Sequence, residues 1–295
     1  MEDAYGHILY RQFDTVVILD EIVRQTGASQ EQVLFRDLLL RLRNGESTEE
    51  DWQLLLSRSP SAITNFTEFN DAVHLFYNKD KVAQFNAQKL NSLGTPIARI
   101  NAVHSCSSAA SAKTEDAGGL EPVLHLAKGA RVMLKSNLWA LKGLCNGATG
   151  NILDILYATG QRPPNLPIAV LVQFDKYTGP PFTVSNPTCI PIPPISFDWS
   201  DGSTRLSRQQ LPLMLSYAIT IHKSQGQTLS KACIDIGERE KAAGATFVAL
   251  SRLRQLSDGI IQPMPFERLQ SIGRLKRHQE RMLEEERLFD LSMKH

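Results

Sequence analysis

Two polar stretches in the last third of the chain constrain its fold more than any other feature. The first, residues 217–229 (YAITIHKSQGQTL), begins with apolar, β-branched residues and changes after Ile221 into a polar turn around Gly226. The pattern predicts a strand over residues 217–221 that ends in a loop rich in hydrogen-bonding side chains. A strand end of this kind is typical of a site that binds phosphates, ribose or bases.

The second stretch, residues 245–256 (ATFVALSRLRQL), has its apolar residues at helical spacing. The spacing predicts a short helix with Ser251, Arg252 and Arg254 on its polar edge. An arginine side chain is a permanently charged planar fork that matches two phosphate oxygens at once. The alternative interpretation of both stretches is an ordinary strand, turn and helix.

Together the two stretches resemble two conserved motifs of superfamily-one helicases. AITIHKSQGQTL is similar to their motif V and FVALSR to their motif VI. The residues of both motifs most resemble those of the PIF-one (petite integration frequency) family, a RecD-like branch that includes the helicases of Helitron-type transposons. The resemblance implies an α/β fold, namely a RecA-like second motor domain with an inserted small β-barrel and a C-terminal helix.

Residues 15–21 (TVVILDE) allow two interpretations. An apolar strand that ends in Asp20 and Glu21 has the form of a Walker B motif, which holds Mg²⁺ in an NTPase. However, the 295 residues contain no GxxxxGK[ST] loop to bind the phosphates. The continuation LDEIVRQ, followed by FRDLLLRLRNGE, resembles motif IV of the same helicase family. That resemblance implies that Arg24 reaches the nucleotide.

Periodicity and capping signals predict the elements that follow. Residues 30–44 have the spacing of an amphipathic helix that ends at Asn-Gly, and the sequence STEE predicts the start of a second helix that ends at residue 56. Residues 74–77 (HLFY) predict a buried strand, followed by a helix over residues 81–90. The resemblance implies that Asn78, between them, faces DNA, although capping of the helix explains it equally well.

Two segments are predicted to lie outside the packed core. Residues 105–119 (SCSSAASAKTEDAGG) are poor in apolar side chains and predict a flexible surface loop within residues 104–122. Residues 266–293 predict one long polar helix, which is basic in its first half and acidic in its second.

Residues 128–154 (KGARVMLKSNLWALKGLCNGATGNILD) resemble the family signature that opens the inserted barrel. Turn residues and β-branched runs predict strands at 131–134, 151–156, 171–174 and 188–192. In the family the barrel helps to hold a single strand of DNA. By position, the candidates for that contact are Lys128, Arg131, Lys135 and Asn137, although exposed basic residues are more often solvated surface.

The resemblance also implies roles for the two polar stretches. In the family, ATP lies between two RecA-like domains, and arginines of the second domain meet the charge that develops on the transferred phosphoryl group. By resemblance, the catalytic arginines are Arg24 and Arg252. The residues beside the nucleotide are Gln225, Gly226, Gln227 and Thr228. The residues that couple it to bound DNA are His222, Lys223 and Ser224.

The resemblance covers residues 19–262 and includes only motifs IV to VI. It divides the chain into the first part of motor domain 2 (1–127), the barrel (128–210), the rest of that domain (211–265) and a C-terminal helix (266–295). Binding of ATP and Mg²⁺ is therefore expected to need a first RecA-like domain, in cis or in trans, and the chain alone is expected to be inactive. The alternatives are a non-catalytic module that binds single-stranded nucleic acid and an independent NTPase that uses Asp20 and Glu21.

Composition limits the remaining classes. Because 32 Lys and Arg residues oppose 31 Asp and Glu residues, single-stranded DNA would bind a local patch rather than a globally basic protein. The cysteines, at positions 106, 145, 189 and 233, lack the spacing of zinc sites and disulfide frameworks, which favours reduced thiols. No apolar run reaches membrane-spanning length and no signal peptide is apparent. We expect a soluble intracellular protein, nuclear by resemblance only.

Overall fold

The computed structural model describes residues 2–240 and 242–293, in two compact units. One unit comprises Met1–Asn78 and Ile219–His295, and the other comprises Lys79–Ala218. The helices of the described residues are α1 (Glu2–Tyr10), α2 (Gln30–Asn44), α3 (Glu49–Leu56), α4 (Lys79–Ser92), α5 (Ser107–Ser111), α6 (Ala245–Leu250), α7 (Phe266–Gln270) and α8 (Lys276–Ser292). The strands are β1 (Val73–Phe76), β2 (Ala98–Asn101), β3 (Val103–His104), β4 (Val123–Leu126), β5 (Arg131–Leu134), β6 (Thr149–Leu156), β7 (Ala169–Phe174), β8 (Cys189–Ile192), β9 (Ile195–Asp201), β10 (Thr204–Gln210), β11 (Leu213–Leu215), β12 (Ala218–Thr220), β13 (Ala232–Asp235) and β14 (Gly259–Ile261).

The first unit is built on a sheet with the strand order β12-β1-β13-β14. The central strand β13 is parallel to both of its neighbours, and Ile234 lies opposite Leu75 of β1 and Ile261 of β14. All three side chains are buried, as expected for parallel strands that are covered on both faces. The strands predicted at residues 74–77 and 217–221 are therefore confirmed as β1 and β12.

The two predicted helices that precede this sheet are also confirmed. α2 starts after Ser29, whose hydroxyl accepts a hydrogen bond from the backbone N–H of Gln32, and ends at Gly45 with φ of 70°. α3 starts with a capping box, in which the Thr48 hydroxyl accepts from the Asp51 N–H and the Asp51 carboxylate accepts from the Thr48 N–H. These local bonds explain why sequence signals located both helices.

The second unit is built on antiparallel strands. Its largest sheet has the order β11-β5-β6-β7-β8, and β3-β10-β9 and β2-β4 form two smaller sheets. The core contains buried aliphatic residues from several of these strands, including Ile100, Leu126, Val132, Ile152 and Val170. The predicted strands in residues 131–192 are confirmed as β5 to β8. Closure into a barrel and the predicted boundaries at residues 128 and 210 stay predictions.

One hairpin of this unit was not predicted. β9 and β10 pair with Asp201 opposite Thr204, and Gly202 between them has φ of 60°. The two loop residues, Gly202 and Ser203, have the Gly-first form that a two-residue hairpin turn favours. This signal was obscured because much of β9 is exposed, so the strand lacks a continuous apolar face.

Composition predicts that residues 105–119 form a flexible surface loop, but the segment contains a helix and buried residues. It contains α5, and Ala109 and Ala117 are fully buried. The cause is the buried side chain of Arg208 in β10, which donates to the carbonyls of Ala109, Ala112 and Leu120 at 2.8–2.9 Å. A guanidinium has five N–H donors, so one arginine holds several backbone carbonyls at once.

Residues 15–21 do not form the predicted strand. The segment lies extended and exposed, with 83% of Val17 and 92% of Leu19 accessible to solvent. An extended segment becomes a strand only when a neighbouring strand exchanges backbone hydrogen bonds with it. None of the described strands pairs with this segment.

The predicted single helix over residues 266–293 is interrupted. α7 and α8 are separated by a 3₁₀ turn at Ile272–Arg274. Gly273 in that turn approaches Gly45 so closely that a Cβ atom on Gly45 would lie 2.5 Å from the Gly273 Cα. The helix breaks where this contact requires a small residue. No helix in the described part of the chain has the length and apolar character to cross a membrane.

Candidate functional site

The first part of the site is the turn that follows β12. Ile221–Ser224 form a 3₁₀ helix, and the Thr220 hydroxyl accepts from the Lys223 N–H at 3.3 Å. Gly226 then adopts φ of 81°, a left-handed conformation that residues with a Cβ atom rarely adopt. The chain thereby reverses within a few residues and leaves Thr228 exposed.

The second part is the turn that follows α6. Because α6 ends at Leu250, Ser251, Arg252 and Arg254 lie on this turn, and the prediction that a helix edge carries them is wrong. The backbone N–H of Leu229 donates to the Arg252 carbonyl at 3.0 Å, and Leu229 forms a parallel bridge with Leu253. These backbone bonds place the two polar turns side by side.

A buried ion pair fixes the start of α6. The Glu240 carboxylate accepts from the Thr246 backbone N–H at 3.1 Å and from Arg268 Nη2 at 3.0 Å. Both charged side chains are only 1% exposed. Arg268 also donates to the Gly237 carbonyl at 2.8 Å. A buried charge pair tolerates little displacement, because a separated partner would be left desolvated and unpaired.

A third segment, residues 24–25, lies against both polar turns. Arg24 Nε donates to Thr228 Oγ1 at 3.0 Å, and Arg24 Nη1 donates to the Ser251 carbonyl at 2.7 Å. The side-chain amide of Gln25, which is 5% exposed, donates to the carbonyls of Ser251 at 3.3 Å and Leu253 at 2.6 Å. The structure therefore brings the predicted Arg24 to the predicted Arg252 turn.

Arg252 is held on the same turn by oxygen atoms of the chain. Its Nε donates to the Val248 carbonyl and its Nη2 donates to Ser251 Oγ, both at 2.8 Å. Arg24 and Arg252 lie at a cavity of about 530 Å³, and none of the described residues that line it carries a carboxylate. The lining residues are Ile22, Val23, Arg24, Gln25, Thr26, Thr228, Phe247, Ser251, Arg252 and Arg254.

The electrostatics of this cavity favour an anion. Burial, together with the positive charge of Arg24, lowers the pKa of Arg252 to about 10. Arg252 remains charged at neutral pH, but its cation is poorly solvated and repelled by its neighbour. An anion at this position would relieve both effects, so the cavity is suited to bind phosphate-like groups.

The four predicted nucleotide-binding residues occupy different positions. Thr228 lines the cavity, and the carbonyl of Gln227 accepts from Arg252 Nη1 at 3.4 Å. Gln225 and Gly226 are exposed on the turn and do not line the cavity. Gln225 and Gly226 thus shape the turn that carries Thr228.

The residues of the first unit that were predicted to bind nucleic acid differ in their exposure to solvent. His222, Lys223 and Asn78 are exposed, and the His222 ring meets Tyr77 edge-on with 5.5 Å between ring centroids. Ser224 is fully buried, and its hydroxyl donates to the Ile221 carbonyl at 2.7 Å. The side chain of Ser224 therefore stabilises the turn and is not presented to a ligand.

The basic and amide candidates of the second unit have partners inside that unit. The pairs are Lys128 with Asp154 (2.7 Å), Arg131 with Asp175 (2.8 Å), Lys135 with Glu121 (2.9 Å) and Asn137 Oδ1 with the backbone N–H of Asn146 (2.8 Å). These contacts join strands and turns of the fold. Contact of these residues with nucleic acid stays a prediction.

Sequence reasoning missed Gln25 and Tyr77. Gln25 follows Arg24 directly, but its partners lie 226 and 228 residues further along the chain, so no local pattern indicates its role. Tyr77 is indicated by the same strand end as Asn78, and its contact with His222 depends on the neighbouring strand. Both omissions therefore concern contacts between segments that are distant in sequence.

Solved structures share this fold. The crystal structure of Pif1 helicase from Candida albicans matches with a TM-score of 0.66 and 23% identity, over 90% of this chain and 59% of that one. The crystal structure of Bacteroides Pif1 bound to ssDNA matches with a TM-score of 0.59 and 25% identity, over 86% of this chain and 53% of that one. The parallel sheet and the arginine-lined cavity at its polar turns define a RecA-like motor domain.

Sequence comparisons agree with that class. The family model of the DNA helicase Pif1 2B domain matches residues 117–155. The chain is 33% identical over 230 residues to ATP-dependent DNA helicase PIF1 of Homo sapiens, covering 75% of this chain and 32% of that protein. It is 34% identical over 240 residues to the Danio rerio protein of the same name, covering 81% and 33%. The chain belongs to the Pif1 family and spans about a third of the length of these curated relatives.

Proposed function

We propose that this chain is the C-terminal motor half of an ATP-dependent 5′-to-3′ DNA helicase. The observation that carries the proposal is the convergence of Arg24 and Arg252 on Ser251, at a cavity without carboxylates. Arg24 and Thr228, which share a hydrogen bond there, are 204 residues apart in sequence. A fold that brings two repelling cations to one cavity is suited to a polyanionic ligand.

The contribution of the chain would be electrostatic. Arg24 and Arg252 are held by backbone and hydroxyl oxygens, so little reorganisation is needed when charge develops beside them. ATP with Mg²⁺ would supply the phosphoryl group that is transferred. Arginines that stabilise this transfer contribute about 10³–10⁵ in turnover.

The described residues fit the phosphates of ATP but not the metal ion. The cavity lining offers guanidinium groups and the Thr228 hydroxyl, which are donors to phosphate oxygens. In contrast, the described residues contain no cluster of His, Cys, Asp or Glu suited to a metal, and Asp20 and Glu21 lie in an exposed segment. We propose that a first RecA-like domain, in cis or in trans, provides the phosphate loop and the Mg²⁺ site. The chain alone would not hydrolyse ATP.

Single-stranded DNA is the proposed partner of the exposed face that carries Tyr77, Asn78, His222 and Lys223. A solved relative is bound to ssDNA. Backbone charge and base stacking would dominate the contact, because this face combines a cation with two aromatic rings. Binding should therefore weaken as the salt concentration rises.

The proposal is tested by ATP hydrolysis with the purified chain, with and without single-stranded DNA. We expect no turnover in either case, together with salt-sensitive DNA binding that Lys223→Ala weakens. Arg277→Ala is the matched control, because it removes one charge from an exposed position on α8. DNA-stimulated turnover that is lost in Asp20→Asn would overturn the proposal in favour of an independent NTPase. DNA binding without any contribution to turnover, even beside a first motor domain, would favour a non-catalytic binding module.

A further inference from the structure

Arg254 is a third arginine at the cavity, and the proposed function gives it no role. Its side chain is exposed and lines the cavity together with Arg24 and Arg252. Those two arginines already donate to oxygen atoms of the chain. Among the described residues, the Arg254 guanidinium has no acceptor.

The backbone on both sides of Arg254 is fixed. Leu253 is fully buried, and its carbonyl accepts from the Gln25 amide at 2.6 Å. The Gln255 carbonyl accepts from the Asp258 backbone N–H at 3.1 Å. Arg254 therefore extends from an anchored turn, while all of its N–H donors stay available to a ligand.

The positive charges around the cavity favour a ligand with more than one negatively charged group. Three guanidinium groups line it, and none of the described lining residues carries a carboxylate. A single phosphate group carries at most about two negative charges at neutral pH, so it leaves one of the three positive charges unbalanced. A chain of linked phosphates supplies both the additional charge and additional acceptor oxygens.

We propose that Arg254 is a third phosphate-binding residue, which contacts the polyphosphate chain of the nucleotide beside the group bound by Arg24 and Arg252. The inference rests on the proposed function and deepens it. Because Arg254 is exposed and its guanidinium makes no bond to the described residues, it contributes mainly to the affinity for the ground state. Arg252 is already positioned by bonds of its own and contributes to the transition state.

The test is calorimetric binding of inorganic tripolyphosphate to the full chain. We expect Arg254→Ala to weaken binding about tenfold, as for loss of a charged hydrogen bond, and to reduce the salt dependence of the affinity. Arg254→Lys keeps the charge but loses the planar fork, so its affinity should be intermediate. Arg277→Ala should bind as the wild type does, and circular dichroism checks that all variants are folded.

Two outcomes would overturn the inference, and they differ in what they mean. If tripolyphosphate binds, Arg252→Ala weakens it and Arg254→Ala leaves it unchanged, Arg254 is not a phosphate ligand and the proposed function stands. If the wild-type chain does not bind tripolyphosphate at all, the inference fails, whereas the proposed function, which takes the phosphate loop from a first motor domain, is decided separately by the turnover of the chain joined to that domain.

Discussion

Arg252 is charged in an environment that opposes its charge. Burial and the nearby Arg24 lower its pKa from the usual arginine range to about 10. A base with a lowered pKa loses its proton at a lower pH than its exposed counterparts. Arg252 is therefore fully charged at neutral pH and loses its charge as the pH rises through about 10.

The affinity for tripolyphosphate should follow this titration. We expect the ratio of the wild-type affinity to that of Arg252→Gln to be constant between about pH 7 and 9 and to decline through about pH 10, because the anion binds the charged form and the ratio cancels the titration of the anion itself. Calorimetry across this range measures the effect. Arg252→Gln should bind weakly at every pH, whereas Arg277→Ala should retain the wild-type profile. An unchanged ratio at pH 10.5 would contradict the assignment of Arg252 to the anion.

Gln25 joins residues 24–25 to the Arg252 turn through its buried amide. Gln25→Ala removes the bonds to Ser251 and Leu253 and leaves the Leu253 carbonyl without that donor. We expect the free energy of unfolding to fall by about 1–3 kcal/mol. Chemical denaturation measures this change, with Gln279→Ala on the exposed side of α8 as the control. A loss below about 0.5 kcal/mol, the usual size for a surface substitution, would mean that Gln25 does not anchor the turn.

At the scale of elements, residues 105–119 depend on Arg208. Lys113 provides a trypsin site in this segment. We expect the wild-type chain to resist cleavage there and Arg208→Met to be cleaved at least about tenfold faster, because the buried guanidinium holds the segment through its carbonyls. Mass spectrometry of the fragments identifies the cut. Arg205→Met, at an exposed position on β10, is the control. If the wild type is cleaved as rapidly as Arg208→Met, the segment is the flexible loop that composition predicts.

Local signals predicted the elements that depend on local bonds. α2 and α3 were located because their caps lie within a few residues of their ends. The predicted strands of both units were located because their apolar runs are buried. The 3₁₀ break between α7 and α8 was not predicted, although Gly273 within it is a local signal of a weakened helix.

At the scale of the whole molecule, the polar turns and the arginines were identified from the sequence, but their arrangement was not. The resemblance of three short motifs indicated Arg24 and Arg252, whereas the bond of Arg24 to Ser251, 227 residues away, required the folded chain. The predicted strand at residues 15–21 failed for a related reason, since a strand needs a partner that local sequence does not specify. Sequence therefore predicted the parts of the site, and long-range pairing determined which parts meet.

The most direct test of a motor half joins it to the missing part. A single-chain fusion of this chain to the first motor domain of a Pif1 relative should hydrolyse ATP when single-stranded DNA is added. Arg252→Ala should lower that turnover by about 10³-fold or more, since it removes a positioned transition-state cation, whereas Arg277→Ala should retain it. Equal turnover of the Arg252→Ala fusion and the wild-type fusion, or a fusion without any turnover, would contradict the account.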